Sequence, residues 1–432
     1  MCEGCMREAS GGAREMSADD EDLRKRISHI NERIKRGDVV VLTAEEFKRK
    51  VRDGCEDELS EVDVVTTGTC GLMSGTAAIF SIEVAERGAF ERAEAAWLNG
   101  VPAFPGPCPN ERLGVIDVTV FGTSRSSDRY GGGHLFHDIV SGKEVDVEVR
   151  AAGGSVFRRT ATVEDFMFAR LFTTRSAFRN YMGFVNTDEG IVKTIFSVSG
   201  LRGPLKEVSV CGCGEINPLE NDPEMRIIRK GTKIMVNGAE GLITGEGTRS
   251  TPERRNIAVV AEMKKMNPEF MGGFITSAGP ECITSIAVPV PNIGNMRHLR
   301  VLDEEVKMPI AEIQRRTQIA ESNYGRVWQN TSLEIQFDSA KCLKCDVCAV
   351  ERKCPVNAFR RDVGIDKKCF NCGFCVFACE GGAFTGDLGS VEVEGRNIPV
   401  TLRLSSREKA RKLCILLKKM IESGEFMLSL CS

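Results

Sequence analysis

The residues best placed to do chemistry are eight cysteines in two runs near the C-terminus. The first reads Cys342-x2-Cys345-x2-Cys348-x5-Cys354-Pro355, the second Cys369-x2-Cys372-x2-Cys375-x3-Cys379. Thiolates are soft ligands that select iron–sulfur clusters and zinc. Three of them two residues apart wrap a tight loop over one cluster, with backbone amides facing its sulfurs. The fourth ligand must come from elsewhere, so each run has one cysteine to donate outward. Four zinc-type Cys-x-x-Cys pairs are the competing account, which two consecutive triplets plus a fourth cysteine each fit poorly. Between Lys341 and Glu380 stand eight Lys/Arg against five Asp/Glu. That excess can balance anionic clusters, dock an acidic electron donor, or simply form a solvated face.

This spacing resembles that of bacterial two-cluster ferredoxins, which implies two [4Fe–4S] clusters. By the same resemblance Cys342, Cys345, Cys348 and Cys379 hold one cluster, and Cys369, Cys372, Cys375 and Cys354 the other. Two departures fall on the local loops: five residues precede Cys354 instead of three, and Glu380 stands where a proline is usual.

Ahead of these runs, further cysteines lie in glycine-rich turns. Cys70 sits in TTGTCGLMSGTAA, after an apolar strand and before a possible helix, a setting whose amides favour the thiolate. Cys108 lies in the rigid PGPCPNE, and Cys211 and Cys213 flank Gly212 in SVCGCGE. Cys55 and Cys282 read as structural. His134 and His137 follow three glycines one helical turn apart, which sets both on one face. They suit metal ligation or proton transfer, or are ordinary hydrogen-bonded surface histidines. Glu111, Glu215 and Asp222 stand in the cysteine loops as candidate acids or bases. Arg125, Arg129, Arg175, Arg179 and Arg249 are candidate grips for an anionic substrate, though each alone is an ordinary surface arginine.

A scaffold must position these loops. Residues 1–16 read as a flexible tail, where Cys2 and Cys5 form an isolated Cys-x-x-Cys pair. Ser17 caps a helix to about Arg36, with Leu23, Ile27, Ile30 and Ile34 at helical spacing. Thr43 and Glu46 form a capping box for a second helix. From Val62 to Trp328 the pattern is mixed. Asp63–Thr67, Val115–Phe121, Val145–Val149, Lys233–Val236 and Ile283–Val290 read as strands, and Phe90–Leu98, Val163–Phe172 and Ile310–Ser322 as helices. The expected fold is α+β: a mixed domain over 17–335, a ferredoxin module over 336–388, and a strand pair plus helix over 389–432, with the helix running from Ser406 to about Ser423.

The chain has 432 residues, 42% hydrophobic and 28% charged, with a formal net charge of −3, so nothing points to a nucleic-acid or membrane-surface partner. No G-x-G-x-x-G follows a strand, no Walker loop is present, and no lysine stands in a setting for pyridoxal phosphate. Eighteen cysteines in so long a chain, ten of them in the last 91 residues, suit a reducing compartment. With no apolar span or leader-like N-terminus, the expected location is cytoplasmic.

Several long motifs carry a further likeness. DVVTTGTCGLMSGTAA, LNGVPAFPGPCPNERLG, YGGGHLFHDIVSG, NPLENDP, NGAEGLITGEGTRS and SAGPE together resemble the homocysteine-biosynthesis sulfur-incorporation family over about residues 20–330. With its cysteine module the whole chain resembles the methanogenesis marker 16 metalloprotein family. The resemblance implies reductive sulfur transfer to a small anionic aldehyde. L-aspartate semialdehyde would give homocysteine; sulfoacetaldehyde would give coenzyme M. Aldehyde, sulfide, two electrons and two protons balance thiol and water. A sulfide or persulfide donor is implied, as is reduced ferredoxin or another low-potential electron donor. Cys70 would carry the sulfur, Glu111 or Glu215 would help expel water, and Cys108, Cys211 or Cys213 would be the resolving thiol. A functional cysteine expected after the GGGH loop in the aspartate-semialdehyde branch is missing from Ala151–Thr162. The alternative is an iron–sulfur electron-transfer or maturation protein serving a partner enzyme.

Overall fold

The computed structural model describes residues 18–106, 112–292 and 297–429. The N-terminal tail with Cys2 and Cys5, and the loop with Cys108 and Glu111, lie outside the described residues.

The helix Ala18–Arg36 forms as its spacing predicts, with Ile30 and Ile34 buried against the core. The Thr43 capping box is present: the Thr43 hydroxyl accepts from the Glu46 amide at 3.2 Å, and the Glu46 carboxylate accepts from the Thr43 amide at 2.7 Å. Sheet dominates the rest. A fourteen-stranded sheet includes the long strand Gly279–Pro291, near one edge, which pairs antiparallel with Val64–Leu72 from Val64↔Pro291 to Leu72↔Ile283. Val64–Leu72 is buried almost throughout, so it reads as a continuous apolar and small-residue run, not an alternating one.

Three runs expected as helices are strands. Ala93–Leu98 lies between Val101–Pro105 and Val145–Ala151, Phe166–Ser176 lies between two long strands, and the 310–322 run is the hairpin Lys307–Glu312/Gln318–Asn323. Arg316, at φ 61°, turns that hairpin. Alanine, glutamate and leucine give these runs local helix preference, but edge-to-edge pairing with two neighbours overrides a propensity worth tenths of a kcal/mol per residue, about 0 to 0.7 for ordinary residues. The possible helix after Cys70 is likewise absent: Val64–Leu72 turns directly into the strand Thr76–Glu83.

A second sheet of six strands joins the front of the chain to its end. Arg396–Arg403 pairs parallel with Val208–Val210 and antiparallel with Ser390–Val393. The helix Arg407–Glu422, capped by Ser406, lays Ala410, Leu413, Leu417 and Ile421 on Val64–Leu72 and Gly279–Pro291. The cysteine-rich segment therefore leaves and re-enters one continuous body. Its neck closes where the Ser332 amide donates to the Asp387 carbonyl at 2.8 Å. Buried Arg403 ties the neck further, donating to the carbonyls of Val327 and Ser332 and to the Thr331 hydroxyl. Among the described residues no helix is long and apolar enough to cross a membrane.

Candidate active site

The cysteine segment is built from short elements, the helices Ala349–Lys353 and Phe374–Ala378 among them, around Phe337, Phe359 and Phe384. Cys354, Cys369, Cys372 and Cys375 line one apolar cavity, and the thiols of Cys369, Cys372 and Cys375 each feel the charge of Cys354. Phe337 pairs with Phe384, and Gly381 packs against the Lys341 carbonyl and Leu343, so the chain just past Cys379 lies on the loop that opens with Cys342. Backbone amides point at thiol sulfurs: Glu351 to Cys348 at 3.5 Å, Ala358 to Cys354 at 3.3 Å, and Asn371 to Cys369 at 3.4 Å. Among the described residues no three His, Cys, Asp or Glu side chains converge tightly enough for a single metal ion. A cubane asks for a wider square, since each thiolate takes a different iron.

The CGCG loop is pinned at nearly every peptide group. Cys211 N donates to Met182 O at 3.1 Å, Gly212 N to the Ser405 hydroxyl at 2.8 Å, and Gly214 N to Asn180 at 2.9 Å. The Trp328 indole donates to the Gly212 carbonyl, and the Tyr324 hydroxyl to that of Cys211. Gly212, at φ 124°, lies flat on the Tyr324 ring, where any Cβ would collide.

That loop forms one wall of a cavity of about 490 Å³, within the range of small-molecule sites. Four separated motifs converge on it: Leu72–Ser74, Asn217, Arg249 and Glu281. Arg175, Arg249, Arg254 and Arg316 line it, and none is ion-paired among the described residues. Arg316 is held over the rings of Phe184 and Phe196 at 4.8 and 4.5 Å. Cys211 faces the cavity half-buried. Burial pushes its thiol above the ordinary range, and the charge of Arg316 opposes that. Glu281 is the residue that sequence reasoning missed, although the SAGPE motif contains it. It is buried, one carboxyl oxygen has no partner among the described residues, and burial raises its pKa against the opposing pull of Ser74 and Arg175.

The other expected site residues fall elsewhere. Cys70 is fully buried inside its strand, opposite Ser285, and burial pushes its thiol up to about 12. Its neighbours Thr69 and Gly71 line the arginine cavity, while its own charge is felt by Lys409. Cys213 touches it, 3.8 Å from the Cys70 carbonyl, and takes a 3.6 Å bond from Thr69. Glu215 lines neither cavity and is locked in a buried ion network with Arg52 at 2.6 Å and Arg407 at 3.2 Å, so it is held ionised below the usual range. Asp222 accepts backbone amides of 226–228 and is structural. Of the candidate arginines, Arg175 and Arg249 reach this cavity; Arg129 lines a second one with His134 and His137; Arg179 pairs with Glu220, and Arg125 with Asp128.

The cysteine segment abuts the arginine cavity. Arg403 N donates to the Cys372 carbonyl at 2.8 Å, and the next residues, Leu404 and Ser405, form cavity wall.

Comparison with known proteins agrees with this picture. An uncharacterized protein of Methanothermobacter thermautotrophicus is 43% identical over 412 residues, covering 94% of this chain and 95% of its own. An uncharacterized protein of Methanocaldococcus jannaschii is 40% identical, covering 89% of this chain and 98% of its own. More distant is an L-aspartate semialdehyde sulfurtransferase of the same organism, 28% identical over 72% of this chain and 65% of its own. No solved structure matches. The family described as "Homocysteine biosynthesis enzyme, sulfur-incorporation" matches residues 39–428, the cysteine segment included, and the chain belongs to that family.

Proposed function

We propose that this sulfurtransferase catalyses reductive sulfur incorporation into a small anionic aldehyde, using two [4Fe–4S] clusters held by its own cysteine segment. The observation that carries the reading is one cavity that combines the Cys211 thiol, four arginines without carboxylate partners among the described residues, and a wall strand whose preceding residue, Arg403, is hydrogen-bonded to Cys372. The arginines bind the anionic end of the substrate; guanidinium donors suit planar or three-oxygen acids. Glu281, whose pKa burial raises, is the acid that donates the proton letting the carbonyl oxygen leave as water. Cys211 is the thiol open to the bound carbonyl, and Cys70 and Cys213 lie closed off behind it. The whole reaction balances as aldehyde, hydrogen sulfide, two electrons and two protons giving thiol and water. The proposed ligand sets are Cys342, Cys345, Cys348 and Cys379, and Cys354, Cys369, Cys372 and Cys375. Bound there, the clusters would supply the two electrons one at a time.

Two aldehydes fit this scheme. One organism holds both the 40% relative and, at 28%, a named L-aspartate semialdehyde sulfurtransferase, which favours a different substrate here. Sulfoacetaldehyde, giving coenzyme M, offers three acceptor oxygens to several arginines and no ammonium in need of a carboxylate.

Anaerobic protein carrying its iron, with sulfide, a low-potential reductant and each aldehyde, tests the reading. Coenzyme M from sulfoacetaldehyde is expected. Thiol from neither aldehyde would overturn it and favour electron delivery to a partner enzyme. Unchanged turnover in Cys211→Ser would remove Cys211 from the reaction.

A further inference from the structure

A second cavity, of about 220 Å³, lies between the helix Gly132–Val140 and the cysteine segment. It is smaller than typical sites for organic ligands, which span about 300–1,000 Å³. Arg129, Lys143, Lys368 and Lys409 line it against two carboxylates, Asp138 and Glu269. Asp138 is already engaged by Lys143 at 2.6 Å and by the Tyr130 hydroxyl at 2.8 Å. Lys409 donates to a backbone carbonyl, that of Glu269, at 2.7 Å. Lys368 has no carboxylate partner among the described residues. The balance is positive, with no organic-sized space to fill.

His134 adds a directional donor. Its Nδ1 accepts from the Gly131 amide at 3.3 Å, so the proton of the neutral ring is on Nε2. That Nε2 is buried and without a partner among the described residues. The ring cannot turn away, because it stacks on Tyr130 and presses on Gly273, where no side chain would fit. A buried donor without a protein acceptor leaves room for a small bound acceptor, a water or an anion. Burial keeps the ring neutral, with its pKa lowered to about 4.

We propose that this cavity binds the sulfur donor as hydrosulfide, between His134 Nε2–H and the ammonium groups of Lys368 and Lys409. The assignment rests on the sulfur-incorporation reading, which requires a small sulfur anion. Lys409 places that anion at the junction of the two halves: its charge acts on Cys70 in the sheet and on Cys369 in the cysteine segment. The aldehyde and the sulfur anion then enter by separate cavities.

Anaerobic calorimetric titration with sodium hydrosulfide tests this on the full chain carrying its iron. Lys368→Gln alters an exposed side chain and is expected to fold; it should weaken binding about tenfold, and Lys409→Met more. Arg249→Gln, at the other cavity, should leave hydrosulfide affinity unchanged and raise the KM for aldehyde. Unchanged affinity in Lys368→Gln, or affinity lost in Arg249→Gln, overturns the site. The two proposals fail separately. No thiol product with the expected binding pattern sinks the reaction alone; thiol product with hydrosulfide binding insensitive to Lys368 sinks the cavity alone.

Discussion

The cysteine segment and the arginine cavity both gather reactive side chains, but on unlike foundations. Between Ser332 and Asp387 the longest helices have five residues, and Leu343, Val347 and Val363 are 67, 65 and 74% exposed. Its buried apolar side chains are few and short-range, Val350, Phe359, Phe370, Ala383 and Phe384 among them, and bodies that small ordinarily need a metal or disulfide staple. The arginine cavity instead rests on a fourteen-stranded sheet whose strands bury their own side chains. The difference points to two sources of order: apolar burial under the cavity and, on the proposed reading, bound clusters in the cysteine segment.

Removing the iron should break this comparison most sharply. Chelation is expected to make the stretch between Ser332 and Asp387 protease-sensitive and to abolish thiol formation, while the sheet's far-ultraviolet dichroism persists. Limited proteolysis with dichroism checks this, and an equally resistant segment without iron would contradict it.

Inside the cavity, Glu281→Gln keeps the shape and removes the donated proton. It should lower kcat about 10²-fold or more with little change in KM, because general acids contribute about 10²–10⁴. A pH profile should lose its basic limb in the variant. A smaller effect is expected at the arginines. Arg316→Gln removes a charged hydrogen-bond donor to the substrate, and bonds to charged groups contribute about 1.5–3 kcal/mol. The KM for aldehyde should rise about tenfold or more at constant kcat; if kcat falls instead, Arg316 acts on the chemistry and not on binding.

The gentlest effect is acid sensitivity from His134. Its folded-state pKa, about 4, lies below the ordinary 6.5. As pH falls through this window the unfolded chain binds the proton first. The stability gained by burying a neutral ring is therefore complete above 6.5 and is lost between 6.5 and about 4. Melting temperatures across this range should fall less steeply in His134→Gln.

The Thr43 capping box, the terminal helix and most strand centres were legible because each is set by residues a few positions apart. The cysteine spacing behind the proposed clusters is local in the same way. The runs expected as helices, Phe90–Leu98 and Val163–Phe172, carry no local mark of the strands that pair on either side of Ala93–Leu98 and Phe166–Ser176. The same limit hid the site. Glu215 reads like an acid in a reactive loop, yet Arg52 and Arg407 reach it from 163 and 192 residues away.

By itself, the sequence determined the family motifs, the short-range caps and the cysteine spacing on which the cluster proposal rests, since each depends on residues a few positions apart. Tertiary structure alone decided which thiol faces a cavity: in a strand, successive side chains point to opposite faces, so Thr69 and Gly71 line the cavity while Cys70 between them is sealed. It likewise decided that Glu281 stays buried in one cavity with Arg175 from a strand, Arg249 and Arg254 from one loop and Arg316 from a hairpin turn, because burial and charge are set by neighbours in space.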